Sequence, residues 1–449
     1  MRRIPKGGPI AALLLTLLPS VVCAQATTVH RLSLGDAARR AAAESAPVLE
    51  ARARIEAAQA RVSQRTGALL PRIDADVTRG ARTFNTASFG LEFPTAPGTE
   101  PFFDPRGEVV GPVRSADVRT RAEIPVVDPG ALGRRRSAQA GVEAARADAR
   151  ARADAAAATA ARAYVAALRA TAEVEAREED LSLAHELLEI ARGQFDAGVG
   201  VAIDVTRAES QVATIQAQLL AARHRVEASQ SALRYVLRLP DEERIELTDA
   251  LEEQQTRVPD EGAVVAEALE RRSDLGAVRA ASTVAQATVA AERATRLPRV
   301  SVAVDEGVYG RGFERMLNTY SWGLRVTVPL FDGLQRSARV REGEAIRREM
   351  DLRAEDLEAQ VRFQVRDALL AVQSAEEQVR ALQERLRLAR LEVDQEEERV
   401  RAGVAGTGDV VRAAMRLNDA RTAYLDVLSA LHNARIGLAA ATGTVTELP

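Results

Sequence analysis

Two stretches of the chain place an aspartate six residues after a glycine inside an otherwise helical sequence. Asp204 follows Gly198 in this way, and Asp409 follows Gly403. An aspartate at the start of a helix accepts hydrogen bonds from the free backbone N–H groups there, which stabilises the helix by about 1 kcal/mol. A glycine costs a helix interior about 1 kcal/mol relative to alanine, so each stretch predicts a break between two helices.

The side chains that most often carry out catalysis are few and widely separated. A single cysteine, Cys23, and a single lysine, Lys6, both lie near the N-terminus. The four histidines are His30, His185, His224 and His432. None stands at metal-ligand spacing from another, and the sequence contains no phosphate loop or nucleophile elbow. We therefore expect no enzymatic activity, no metal site and no cofactor.

Residues 1–26 have the pattern of a secretory signal. Three basic residues precede an apolar run at 10–24, and the small residues around Ala26 are typical of a cleavage site. Cleavage after Ala26 is the main interpretation, and a lipid-attachment cut before Cys23 or a retained membrane anchor are the alternatives.

Loss of three basic residues with the signal changes the net charge from −3 to −6. Arginine and glutamate interleave along the helices, so we expect no binding to nucleic acid.

The rest of the sequence is duplicated. Segments of the first half match segments of the second half, in the same order, at offsets of 227, 204 and 205 residues. Each copy reads as helix, strand, strand, long helix, break and helix. We assign the first copy to residues 27–240, a linker to 241–259 and the second copy to 260–449. The offsets place four pairs at equivalent positions: Pro71 and Pro298, Pro125 and Pro329, Gly198 and Gly403, and Asp204 and Asp409.

One long helix in each copy carries a heptad repeat. The helix predicted over 334–401 has an apolar residue at every seventh position, namely Val365, Val372, Val379, Leu386, Val393 and Val400. The matching helix over 131–196 keeps the pattern except at Arg177. Helices of this length extend roughly 100 Å. Shorter helices are predicted near 34–70, 200–238, 260–297 and 409–442. Each is about half as long, so two laid end to end match one long helix.

Four short strands are predicted in the segments 72–128 and 299–332. One face of each strand is apolar and the other is polar or charged, which suits either a soluble sheet or a barrel wall between lipid and water. Ten of the 15 aromatic residues lie in these two segments. Such a concentration favours a membrane interface, and ordinary hairpin packing is the alternative.

Four strands do not close a membrane barrel, because an open edge in lipid leaves backbone groups unpaired. The chain is therefore expected to assemble with identical copies, and three copies supply about twelve strands, enough for an outer-membrane barrel. Prolines stand at the predicted junctions of helix and strand, where their missing N–H interrupts the hydrogen bonding of both elements: Pro71, Pro125, Pro298 and Pro329.

The duplicated order of elements resembles the TolC-type outer membrane factor family over nearly all of residues 30–445, including Pro-Leu-Phe-Asp-Gly at 329–333. The resemblance implies a mixed, mainly α fold: duplicated long-helix coiled coils form an α-barrel, and four strands per chain contribute to a trimeric 12-strand transmembrane β-barrel. It also implies an outer-membrane channel with a long periplasmic portion. Such a channel is the exit duct of a tripartite efflux or type I secretion system.

The same resemblance implies roles for the glycine breaks. Gly198 and Gly403 match periplasmic tips that dock a membrane fusion (adaptor) protein, which connects to an inner-membrane pump. Asp204 and Asp409 match a candidate entrance gate, and Arg412 stands where relatives can carry a second acidic residue. The alternatives are a bare hairpin turn at each glycine and a helix N-cap at each aspartate.

The alternative for the whole chain is a soluble periplasmic coiled-coil adaptor or structural protein. Such adaptors carry one helical hairpin and a separate β domain, whereas this sequence duplicates the complete unit. No motif indicates whether the substrate is a drug, a metal or a protein.

Overall fold

Two long helices dominate the structure. The computed structural model describes residues 29–89, 107–253, 260–402, 404 and 406–449. The predicted signal, including Cys23, and the tip residue Gly403 lie outside the described residues. The long helices are α3 (Pro129–Asp196) and α7 (Gln335–Arg401), of 68 and 67 residues. Both predicted long helices are therefore confirmed.

Shorter helices pack along the two long ones. In the first copy these are α1 (Leu34–Glu44), α2 (Ala46–Gly67) and α4 (Ala202–Leu237). In the second copy they are α5 (Glu261–Arg271), α6 (Ser273–Ala294) and α8 (Thr407–Thr442). α2 and α4 contact one side of α3, whose other side contacts α6 and α8; these in turn contact α7. The helices thus form a row that begins with α2 and α4 and ends with α7.

No helix in the described part of the chain is both long enough and apolar enough to cross a membrane.

The predictions of one helix over 34–70 and one over 260–297 are wrong, because each segment is broken in two. The first break is at Ser45, whose ψ of 152° is extended. Pro47 has no N–H to donate within a continuous helix, but it is tolerated in the first turn of α2. The second break is at Arg272, with ψ 118°, where Asp274 pairs with the guanidinium at 2.6 Å. The two breaks are equivalent points of the duplication.

The predicted heptad seam of α7 is buried. All six of its residues are at most 7% exposed, and they pack mainly on α8. In α3 the seam is less regular: Phe195, near the end of the helix, is 47% exposed. α3 is flanked by helices on two sides, so its buried surface is wider than a single stripe.

A small parallel sheet joins the start of the described chain to the linker, and it is not predicted by the sequence analysis. β1 (Val29–Leu32) pairs with β4 (Arg244–Leu247). The fully buried Tyr164 of α3 donates a hydrogen bond to Leu32 O at 2.8 Å and accepts one from Asp249 N at 3.3 Å. Burial raises the pKa of Tyr164 to about 12. The linker is therefore anchored to the first copy.

The larger sheet is antiparallel and unites the two copies. Its strands are β2 (Arg72–Asn85), β3 (Val109–Val127), β5 (Arg299–Gly310) and β6 (Met316–Thr327). The order is β2-β3-β5-β6, so β3 and β5 pair across the duplication. Within the described residues, β2 and β6 are edge strands, each with one unpaired side.

His432 on α8 gives the fold a pH dependence. Its Nε2 lies 3.1 Å from Glu252 O of the linker, and burial lowers the pKa of the imidazole, with Arg435 acting in the same direction. Protonation is therefore easier in the unfolded chain, and the stabilisation present above pH 6.5 is lost as the pH falls through the folded pKa. We expect the melting temperature of the wild type to fall more on acidification than that of His432→Gln.

The matched control is His224→Gln, which changes an exposed histidine on α4. It should keep the wild-type pH dependence in a thermal melt followed by circular dichroism. If the melting temperature of His432→Gln fell with pH as steeply as that of the wild type, the pH dependence would not come from His432.

Candidate functional site at the helical tips

The first tip is a tight turn between α3 and α4. Gly198 has φ +75°, a conformation that favours glycine. Its N–H donates to Phe195 O at 2.9 Å, and the next residue, Val199, donates to Gln194 O at 3.0 Å. These bonds use carbonyls that the end of a helix otherwise leaves free. Gly198 therefore stands where the chain reverses, as its spacing predicts.

A second glycine of this turn is required for a different reason, which the sequence analysis missed. A β-carbon on Gly200 would lie 2.9 Å from the carbonyl carbon of Gln194 and 2.9 Å from the nitrogen of Phe195. Both are backbone atoms that cannot move aside. The Gly-Val-Gly spacing was the signal that could have identified it.

The two tips lie side by side. Thr407, at the start of α8, is 2% exposed, and its hydroxyl lies 3.4 Å from Oε1 of Gln194 in α3. A β-carbon on Gly408 would lie 3.5 Å from Oδ1 of Asp204. The structure thus brings Asp204 of the first tip against the N-terminus of α8, where a helix favours negative charge.

The helix-cap interpretation of the two aspartates is wrong. The N-cap residues are Val201 for α4 and Gly406 for α8, each three residues before the aspartate, and neither gives a side-chain cap. Each carboxylate instead pairs with an arginine one turn later. Asp204 accepts from Arg207 at 3.3 Å, and Asp409 accepts from Arg412.

We call these four residues, Asp204, Arg207, Asp409 and Arg412, the tip charge cluster. Nη1 of Arg207 and Nη1 of Arg412 would lie 3.5 and 3.9 Å from a β-carbon on Gly408, so the cluster surrounds the N-terminus of α8. It contains two carboxylates and two guanidinium groups. Within one chain the candidate gate is therefore neutral, because Arg412 and Arg207 offset the two acids.

Apolar side chains project from the tips into solvent. Val199 is 80% exposed, Val201 57%, Ile203 54% and Val404 68%. A cluster of exposed apolar residues on a helical hairpin is typical of a surface that packs on another protein.

A buried charge network lies roughly 25 Å above the tips and joins the two copies. Asp180 of α3 is 4% exposed and accepts from Arg177 at 3.0 Å, from Asn418 at 2.9 Å and from Arg421. Arg177 is 5% exposed and also donates to Thr422 of α8. Burial raises the pKa of Asp180, and the charges of Arg421 and Arg177 oppose that shift. Arg177, the one departure from the heptad pattern, was the signal for this network.

The candidate corner prolines lie close to the junctions of helix and strand. Pro71 and Pro298 directly precede β2 and β5, and Pro329 lies between β6 and α7. Pro125 lies inside β3 opposite Ser301, where the register slips before Val127. A proline at such an irregularity removes no regular ladder bond.

This arrangement, with a four-stranded sheet at one end of the long helices and paired hairpin tips at the other, is the fold of outer-membrane channels. The CmeC outer membrane channel of Campylobacter jejuni superposes with a TM-score of 0.75 at 16% identity, covering 92% of this chain and 85% of that one. The MtrE outer membrane channel of Neisseria gonorrhoeae gives 0.71 at 19% identity, covering 91% and 88%. The predicted fold class is confirmed.

The Outer membrane efflux protein family matches residues 37–237 and 264–444, and the chain belongs to this family. Membership confirms the resemblance seen in the sequence, the outer-membrane location with a periplasmic helical portion, and the expectation that the chain is not an enzyme. It excludes the alternative of a soluble periplasmic adaptor.

Two relatives are each 27% identical to this chain. Outer membrane efflux protein BepC of Brucella suis matches over 278 residues, and alkaline protease secretion protein AprF of Pseudomonas aeruginosa over 284. Each match covers 60% of this chain, and the chain spans 59% and 58% of the length of those relatives.

Proposed function

We propose that three copies of this chain form an exit duct across the outer membrane and periplasm, which serves a tripartite efflux or type I secretion system. The names of the relatives point to both kinds of export, efflux for BepC and protease secretion for AprF. The duct receives its substrate from an inner-membrane pump through a periplasmic adaptor protein. The observation that carries the proposal is the two-faced sheet.

One face of the sheet carries mainly apolar residues and is open to the surroundings. A single row of paired residues crosses all four strands: Ile73, Ala122, Val304 and Trp322. Ile73 is 69% exposed and Trp322 is 74% exposed. Such residues are unfavourable in water but suit the lipid-facing side of a barrel, with aromatic side chains at the interface.

The other face is polar, and several of its charges are paired. The neighbouring row, one residue further along the strands, is formed by Asp74, Arg121, Asp305 and Ser321. Arg119 pairs with Asp305, and Arg121 pairs with Asp76 at 2.6 Å. A polar inner face alternating with an apolar outer face is the pattern of a water-filled barrel.

The unpaired sides of β2 and β6 support the homotrimer. An edge strand exposed to lipid leaves unsatisfied N–H and C=O groups, each at a cost of several kcal/mol. Pairing β6 of one copy with β2 of the next removes every such edge once the ring closes, and three copies supply about twelve strands.

The tips support the docking of an adaptor. Gly198 gives the turn its reversal, and its equivalent Gly403 is assigned the same role by the duplication. The exposed side chains of Val199, Val201 and Val404 supply apolar surface at the end of the duct. The tip charge cluster, repeated around a threefold axis, forms the entrance gate through Asp204, Asp409 and Arg412.

Electrical recording in a planar lipid bilayer tests both proposals. The purified protein should insert and give single-channel conductance. In the variant Asp204→Asn with Asp409→Asn, Arg207 and Arg412 lose their partners, so the entrance becomes positive and the permeability of cations relative to anions should fall several-fold. An unchanged ratio in conducting channels would remove the gate assignment.

The control for this variant is Asp426→Asn, which changes an exposed carboxylate on α8 away from the tip. It should keep the wild-type permeability ratio. A purified, folded protein that stays monomeric and water-soluble without detergent would defeat the proposal of a membrane channel.

A further inference from the structure

An apolar stripe on α7 has no partner within the described chain. Leu352 is 64% exposed, Phe363 68% and Leu370 59%. At about 100° per residue, Phe363 points roughly opposite to the fully buried Val361. α7 ends the row of helices, so this stripe faces outward from the row rather than toward α6 and α8.

The duplication shows what such a stripe does elsewhere in the same chain. An offset of 205 residues places Leu352, Phe363 and Leu370 on Ala147, Ala158 and Val165 of α3. These three equivalents are 3%, 5% and 0% exposed. Ala158 clusters with Ala439 of α8, and Val165 clusters with Ile436 of α8. The equivalent surface of α3 is thus covered by the next helices in the row.

The opposite end of the row carries an apolar groove. It has a volume of about 980 Å³ and lies where the end of α4 approaches the start of α2. Its lining includes Pro47, Leu49, Tyr235 and Leu239. Tyr235 is 84% exposed and Leu49 is 39% exposed, so both are open to solvent.

Phe363 and the groove stand at the same height along the long helices. The break between α5 and α6 marks this height. There Ser273 donates to Asp154, which lies beside the groove-lining Arg152 and Ala155 of α3, and Arg272 donates to Gln364, the neighbour of Phe363.

We propose that Phe363 of one subunit inserts into the groove of the neighbouring subunit, between Leu49 and Tyr235. This inference rests on the proposed trimer and identifies the contact that sets the order of its subunits. The contact also explains why Phe363 of α7 is a larger residue than Ala158, its equivalent in α3. Beside Ala158 the space is filled by Val445, which belongs to the same cluster, whereas the groove is open and accepts a phenyl ring.

Charged residues surround both surfaces. Asp356 and Asp367 flank Phe363 on exposed positions of α7, and neither lies within ion-pair distance of an arginine among the described residues. The charged residues that line the groove are three arginines and two acids, Arg152, Arg234, Arg238, Glu50 and Asp241, and the buried Nε of Arg234 has no partner in the described part of the chain. The rim of the groove thus has a net charge of +1, three arginines against two acids, which favours Asp356 and Asp367 of the neighbouring subunit.

Because the two surfaces lie at opposite ends of the row, the contact is head to tail. A head-to-tail contact either closes into a ring or continues as a filament. The sheet runs from β2 to β6 in the same direction as the row of helices runs from α2 and α4 to α7. A single rotation axis therefore closes both the helical wall and the sheet.

Site-specific crosslinking tests the contact. The sole cysteine of the sequence, Cys23, lies within the predicted signal, so introduced cysteines are unambiguous. The variant Phe363→Cys with Tyr235→Cys, treated in outer membranes with a short bis-maleimide, should give covalent dimers and trimers on a denaturing gel. The matched control, Arg362→Cys with Tyr235→Cys, places the thiol about 100° around α7 and should give at most a small fraction of these products.

A second variant covers the case in which the cysteine pair does not assemble. Phe363→Ala should lower by several degrees the temperature at which the trimer dissociates in detergent, while Arg362→Ala should not. A trimer that forms normally, but gives no crosslink in the double-cysteine variant or no shift in Phe363→Ala, would overturn this contact and leave the channel standing. A protein that is monomeric in mild detergent would instead overturn the proposed trimer.

Discussion

Replacing Asp180 with alanine is expected to destabilise the protein by about 3–5 kcal/mol. The carboxylate is 4% exposed and accepts hydrogen bonds from two arginines, of which Arg177 is itself 5% exposed. Without Asp180, Arg177 keeps its positive charge in a buried site with no carboxylate partner, and Arg421 keeps only its pair with the exposed Glu179 at 2.9 Å. Chemical unfolding followed by circular dichroism should show the transition at a much lower denaturant concentration.

The matched control is Asp426→Ala. Asp426 also joins α3 to α8, because it accepts from Nε of Arg169 at 2.9 Å, but its side chain is 56% exposed. An exposed ion pair contributes at most about 1 kcal/mol, since water replaces the lost partner. Comparable losses in the two variants would show that burial of the network is not what gives Asp180 its importance.

The variant Gly198→Val is expected to abolish export while the protein still reaches the outer membrane. A β-branched residue at φ +75° is strained by about 1–2 kcal/mol, so the turn should relax to another shape. The altered turn would displace Val199 and Val201, which supply the apolar surface of the tip. In a strain that lacks the chromosomal copy, the variant should fail to restore export, as measured by resistance or by secretion of the exported protein.

Gly193→Ala is the control for the tip. Gly193 lies in the last turns of α3, and a β-carbon there meets nothing within 4 Å. Alanine at that position favours a helix over glycine by about 1 kcal/mol, so export should be kept. The quantity of trimer in the outer membrane must be measured for both variants. Full export by Gly198→Val at wild-type abundance would rule out this role for the first tip.

The long helices and the large sheet were predictable because each is specified by a repeating pattern. Six seam residues at every seventh position fixed α7 within a residue at each end. Alternation along residues 118–124 and 322–328 similarly placed β3 and β6. Such signals are periodic, so single unusual residues do not disturb them.

The features that the sequence analysis missed depend on contacts between distant residues. β1 and β4 are four residues each, too short for a periodic signal, and they form only because they pair with each other. The break at Arg272 contains neither glycine nor proline. Helix propensity does not predict the ion pair between Arg272 and Asp274 that accompanies this break. Asp204 and Asp409 had the residue type of a helix cap, but the N-cap residues of their helices lie three positions earlier, at Val201 and Gly406.

The charged residues at the tips were predictable in place but not in their pairing. Arg207 follows Asp204 by one turn, as in many surface ion pairs, so its position in the sequence does not distinguish it. Only the approach of the two tips brings Arg207 of the first copy close to Gly408 of the second copy in the same chain. The partners of Arg177 and Asp180 on α8 were hidden for the same reason, since Thr422, which accepts from Arg177, and Asn418, which donates to Asp180, lie more than 200 positions further along the chain.

The pairing of β1 with β4 also imposes an order on folding. Val29 pairs with Arg244, so a ribosome must synthesise the whole first copy before the first strand has a partner, whereas the helical hairpins need only near neighbours. During that interval β1 is an unpaired edge. It is only four residues long and includes His30 and Arg31, which makes it a poor template for aggregation.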